Sequence, residues 1–230
     1  MAGGIVTVAF SPALLLLTDG RFPTGSYAHS GGLEAAVLSG RVAHAADLES
    51  FLLGRLHTAG VVAASFAAAA CAAATAGDGL RIQDLETELD ARTPSPSLRL
   101  VSRSLGRQLL RAVTGIAPHV ALTVLPRQPH QAIAMGGAAA ALGLSPREAA
   151  LAAAYDAVTG PAGAALKLLP LDPFTVNATL AHLMPVLDSI ASQAAHHTDA
   201  TVQQLPAAGS PLLDVGAEQH ARREARLFAS

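Results

Sequence analysis

The chain has 230 residues, 51% of them hydrophobic and 14% charged, with a net charge of -2. That balance excludes global disorder and carries no electrostatic footprint for nucleic acid or a membrane surface. Aromatic residues are 3% with no Trp, so Ala and Leu must fill the core, which suits close packing of helix on helix.

The first apolar run, "IVTVAFSPALLLL", has the look of a signal-peptide core, but no Lys or Arg precedes Arg21 and Pro12 interrupts it. Ser11-Pro12 has the order of an N-cap followed by proline at the first helical position, so a short helix is expected through "ALLLLTD". Residues 20–25 form a loop, and "YAHSGGLEAAVLSG" reads as a helix ended by Gly40. Asp47 can cap "LESFLLGRLHTA". The uncharged, Ala-rich run of residues 56–77 is long enough to span a bilayer, but it carries His57 with several Thr and Ser, and it reads as a buried helix pair. "GDG" at residues 77–79 breaks it, and "IQDLETELDAR" follows as a short acidic helix.

"TPSPS" is a turn into "LRLVSRSLGRQLLRAVTG", where Leu98, Val101, Leu105, Leu109 and Ala112 keep helical spacing. "PHVALTVLPRQP" is the one stretch with strand-like character, and its flanking prolines argue against a long strand. "SPRE" matches a capping box, with a helix expected to about Thr159. Asp172-Pro173 repeats the cap-then-proline order before a helix to about His196. A loop, "TDATVQQLPAAGSP", leads to a last helix, "LLDVGAEQHARREARLF", with an extended tail. The expectation is a single all-α domain over residues 1–230, a bundle of roughly eight to ten helices with no significant sheet.

Chemistry-bearing patterns are sparse. "RFPTGSYAHSGGLE" at residues 21–34 has no lysine near it for a phosphate loop; Lys167 is the chain's one lysine. Ser26, His29 and Glu34 lie close together, but no Gly-x-Ser-x-Gly elbow surrounds Ser26, and a helix cap explains it more simply. The nine histidines include no His-x-x-x-His pair on a predicted helix, and Cys71 has no cysteine partner, so no metal site and no cofactor are expected. The lone Cys71 also excludes an internal disulfide and fits a reducing cytoplasm. The charge pattern says more. Seven arginines and no acidic residue lie between Asp90 and Glu148, and Arg99, Arg103, Arg107 and Arg111 fall four apart on one helix. Like charges at that spacing repel. Either Asp84, Glu86, Glu88 and Asp90 of the preceding helix neutralise them through a hairpin, or an acidic protein partner does.

Four stretches carry a resemblance. "LLLLTDGRFPTGSYAHSGGLEAAV" resembles the N-terminal signature of the urease accessory protein F family (UreF), and "EQHARREARLFAS" is similar to that family's C-terminal motif. Between them, "ELDARTPSPSLRLVSRSLGRQLLR" and "RQPHQAIAMGGAAAALGLSPREAALA" look like its central segments. Two departures stand out: Ala229 where the family often has Arg, and Leu169 and Asp172 within "KLLPLDP" where it usually has glycines. The resemblance implies a non-enzymatic, all-α homodimer in the cytoplasm that acts in nickel delivery to urease apoprotein. It implies binding to accessory protein D (H in some organisms) and recruitment or regulation of the GTPase UreG, with no nucleic acid or membrane involved. The alternative is a generic helical protein-binding module using the arginine stripe. The residues it marks as partner-binding, with none catalytic, are Pro23, Thr24, Gly25, Tyr27, His29, Gly32 and Glu34 in the opening motif (residues 11–40), Arg103 and Arg107 on the striped helix, and Arg226 and Phe228 in the tail (residues 211–230).

Overall fold

The computed structural model describes residues 11–223 and 226–229, and the described residues are helical with no strand. The helices are α1 (Pro12–Thr18), α2 (Leu33–Leu38), α3 (Ala45–Arg55), α4 (Val61–Ala76), α5 (Gly79–Ala91), α6 (Pro96–Ile116), α7 (Gln131–Ala141), α8 (Pro146–Leu168), α9 (Pro173–His196) and α10 (Pro211–Ala221). The signal-like residues 5–10 lie outside the described residues.

Local chemistry accounts for most helix starts. Asp78, Ser95, Ser145 and Asp172 each accept a hydrogen bond from the backbone N–H three residues on. Proline stands at the start of α6, α8, α9 and α10, where its missing N–H costs nothing. The cap of α3 differs from expectation: His44 is the N-cap, and Asp47 reaches back to the N–H groups of Ala43 and His44.

Helix α4 is the centre of the bundle, packed on α7, α8, α9 and α5. Its residues Ala64, Phe66, Ala67, Ala68, Ala69, Ala70 and Cys71 are fully buried, so small side chains set the helix spacing. At Gly136 of α7 a Cβ would press on the Ala67 carbonyl and lie 2.7 Å from Ala70 Cβ and Cys71 N; only a glycine lets α4 and α7 approach that closely.

Three expectations change here, and the reading that flanking prolines keep one stretch from forming a long strand holds. The Ala-rich run is not a helix pair: α3 and α4 are one rod, Ala45–Ala76, joined by a π turn, Leu56–Gly60, that adds a residue to the helical repeat at Gly60. By length and composition this rod could cross a membrane, yet 67% of its most apolar stretch is buried inside the protein. The strand-like stretch is a 3-10 turn, Val120–Leu122, between prolines that deny it a ladder. Helix α8 does not stop at Thr159 but runs through Pro161 to Leu168. Helix α10 stops at Ala221 short of the tail.

Candidate functional site

The opening motif is not one helix. Ser26–Ala28 is a single 3-10 turn, and α2 starts only at Leu33, because Gly31 (φ 59°) and Gly32 (φ 90°) both take the left-handed conformation that glycine adopts at no steric cost. This double turn swings Glu34 inward at the start of α2, where the helix dipole favours a carboxylate. Ser30 Oγ accepts the Glu34 N–H at 3.3 Å.

Glu34 is 5% exposed and joins the opening motif to the tail. Its Oε1 accepts the Leu227 N–H at 2.8 Å, and its Oε2 accepts the Phe228 N–H at 3.1 Å and lies 2.8 Å from His220 Nε2. Burial raises the Glu34 pKa, but the bonds from Leu227, His220 and Phe228 outweigh it and hold the carboxyl below its usual range. Ala229 N–H then donates to the Ala28 carbonyl at 2.8 Å, laying the tail beside the 3-10 turn. Phe228 is 6% exposed in the core formed by α2, α3, α4, α8 and α9, with Lys167 Nζ 5.4 Å from its ring centroid.

Arg55 ties the same motif to the bundle. Pro161 has no N–H to give the Ala157 carbonyl four residues back, and Arg55 Nε donates to that oxygen instead, at 2.8 Å. Its Nη1 donates to the Gly31 carbonyl at 2.9 Å. The missing helical bond inside α8 and the double-glycine turn are thus satisfied by one side chain.

On the arginine stripe, the expected hairpin forms for Arg103. Its guanidinium bridges Glu86 at 2.8 Å and Asp90 at 2.6 Å on α5. Arg99 donates to the Thr93 and Pro94 carbonyls, while Arg107 and Arg111 are exposed. Buried His130 completes the joint: its Nε2 is 2.9 Å from Asp90 Oδ1, its Nδ1 is 2.9 Å from Ser102 Oγ, and its N–H donates to Glu86. Carboxylate, imidazole and hydroxyl stand in the order of a hydrolase triad, yet Ser102 Oγ already accepts the Gln131 N–H and Asp90 is shared with Arg103. The network is a fully bonded joint between α5, α6 and α7, and burial holds the His130 imidazole towards its neutral form.

Between α2, α3, α4, α5, α6, α7, α8 and α10 lies a cavity of about 240 Å³. Arg55 and Asp156 face it, among apolar groups that include Val62, Leu105 and Met135. Gln131 Nε2 donates to Asp156 Oδ2 at 2.8 Å. Burial pushes the Asp156 carboxyl up to about 6, against the pull of Arg55 and Gln131. A cavity of about 50 Å³ adjoins it and shares Leu105, Gln131, Met135 and Asp156.

The residues singled out in the sequence therefore separate. Pro23, Tyr27 (77% exposed), Arg107 and Arg226 face outward, beside Leu227 at 61%. Thr24, Gly25, His29, Gly32 and Arg103 are half-buried; Thr24 Oγ1 donates to Ser26 Oγ, and burial lowers the His29 pKa. Glu34 and Phe228 point into the protein and serve each other. Ser26 and Glu34 are not brought together: Ser26 opens the 3-10 turn, and Glu34 belongs to the tail. Ser230 lies outside the described residues. Among the described residues no cluster of three or more His, Cys, Asp or Glu could hold a metal ion, and burial pushes the Cys71 thiol up to about 12. Sequence reasoning missed Arg55, Asp156 and His220. Pro161 signals an orphaned carbonyl inside α8, but nothing local names the side chain that fills it.

Comparison with known proteins bears on what such a surface serves. The family pattern described as UreF matches residues 42–184. The chain is 43% identical over 218 residues to the urease accessory protein UreF of Mycobacterium sp. (strain JLS), and 43% identical over 223 residues to that of Mycolicibacterium vanbaalenii. It is 40% identical over 217 residues to that of Mycobacterium tuberculosis (strain H37Rv). In each case the match covers 94% of this chain and 97% of the relative.

Proposed function

Because the chain belongs to the UreF family of urease accessory proteins, we propose that it is a non-catalytic scaffold in nickel-dependent assembly of the urease metallocentre. In this reading it binds accessory protein D (or H), recruits the GTPase UreG, acts on urease apoprotein, and works as a homodimer in the cytoplasm. The observation that carries the proposal is the joining of the opening motif to the segment Leu227–Ala229. The Ala229–Ala28 bond and the Glu34 clasp lay the tail segment that carries exposed Arg226 and Leu227 alongside the turn that carries exposed Tyr27. Tyrosine and arginine are among the residue types that dominate binding energy at interfaces, and Leu227 adds apolar area beside them. Exposed Arg107 on α6 offers a second, cationic contact.

The test is co-purification of accessory protein D and UreG with Tyr27→Ala/Leu227→Ala and with Arg107→Glu. The double change is expected to cost at least about 2 kcal/mol in one of the two bindings while helicity stays at the wild-type level. Wild-type capture of both partners by both variants would reject these faces as the binding surfaces.

A further inference from the structure

Among the charged side chains that line the cavity, Arg55 and Asp156 do not touch each other. Arg55 is fixed by the Ala157 and Gly31 carbonyls, and Asp156 by Gln131. After those bonds, Nη2 of Arg55 and Oδ1 of Asp156 have no partner among the described residues, and the two side chains form no ion pair. Both face the same space, whose wall also carries Arg92, held by Glu88, Asp214, which accepts the Ser95 N–H, His220, which faces Glu34, and His29, and is otherwise largely apolar.

We infer that this cavity binds a small zwitterion of the amino-acid type, with its carboxylate on Arg55, its ammonium on Asp156 and an apolar side chain against Val62, Leu105 and Met135. A ligand with one charge would cover both protein charges but neutralise one, leaving the other desolvated and unpaired, which is strongly unfavourable. A neutral amide could hydrogen-bond to both and compensate neither. A zwitterion meets each charge with its opposite, and guanidinium to carboxylate is the stronger kind of hydrogen-bonded pair. The incomplete compensation of Asp156 is in line with its raised pKa: burial dominates, and Arg55 and Gln131 offset it only in part. Arg55 beside the carboxylate also disfavours a bare metal cation at this point. The inference does not depend on the proposed scaffold role.

The experiment is a calorimetric titration of the full chain with L-valine, and with isobutylamine, isobutyrate and isobutyramide as probes carrying one charge or none. Valine is expected to bind with a Kd of about 1 mM or tighter, and each of the other three at least about tenfold more weakly. Asp156→Asn, which keeps the shape, and Ala217→Leu, which fills the cavity from α10, should each weaken valine at least about tenfold, with circular dichroism confirming the fold. No valine binding up to about 10 mM would overturn the inference. So would isobutylamine, isobutyrate or isobutyramide binding as tightly as valine, or wild-type valine affinity in both variants.

Discussion

At the scale of single residues, Glu34 and Asp156 show how environment sets the use of a carboxylate. Glu34 is buried but collects two backbone N–H groups and an imidazole, so it stays ionised and acts as a clasp. Asp156 collects one side-chain amide and the pull of Arg55 without an ion pair, so burial wins and its pKa rises to about 6. The sign for stability is opposite in the two cases. A folded pKa above the ordinary 3.8 means that Asp156 favours folding most when protonated, and that this contribution is lost as pH rises through about 6. Asp156→Asn is therefore expected to gain on wild type, by no more than about 3 kcal/mol, as pH rises from 3.8 to above 6. Denaturant unfolding of both proteins across that range checks it; parallel stability curves would refute it.

At the scale of elements, close approach matters more than bulk. In an exposed helix, Gly→Ala stabilises by about 1 kcal/mol. Gly136→Ala in α7 should reverse that sign and destabilise by about 3 kcal/mol, because the new methyl would meet the α4 backbone at Ala67 and Cys71. Thermal unfolding decides between the two signs. Much of this layer was legible in the sequence, since caps and leading prolines act within four residues: Ser145 with Glu148 and Asp172 before Pro173. The hairpin that pairs Arg103 with Glu86 and Asp90 was legible too, from charge spacing across a short turn. What failed had non-local causes. Pro161 reads as a helix stop until Arg55, 102 residues away from Ala157, takes the orphaned carbonyl. The Gly31-Gly32 break looks like helix until Glu34 finds its partners in the tail.

At the scale of the whole molecule, the tail is part of the core as well as of the surface. Removing residues 226–230 takes Phe228 out of the packed interior and two donors from Glu34. We expect a loss of at least about 3 kcal/mol, or about 6 to 12 °C in Tm. An unchanged melting curve by circular dichroism would show that Phe228 and the clasp contribute nothing. Partner-binding losses in such a truncation thus report stability and contact together, which is why surface changes at Tyr27 and Leu227 are the cleaner probe. The clasp also has a consequence in time. Glu34 leaves the ribosome early, and Leu227 is made 193 residues later. At about 5 to 20 residues per second the carboxylate waits roughly 10 to 40 s for the donors that satisfy it. During vectorial synthesis the opening motif is therefore an unfinished half. Until Leu227 and Phe228 are made, the Glu34 carboxylate lacks the two backbone donors that hold it in the finished fold.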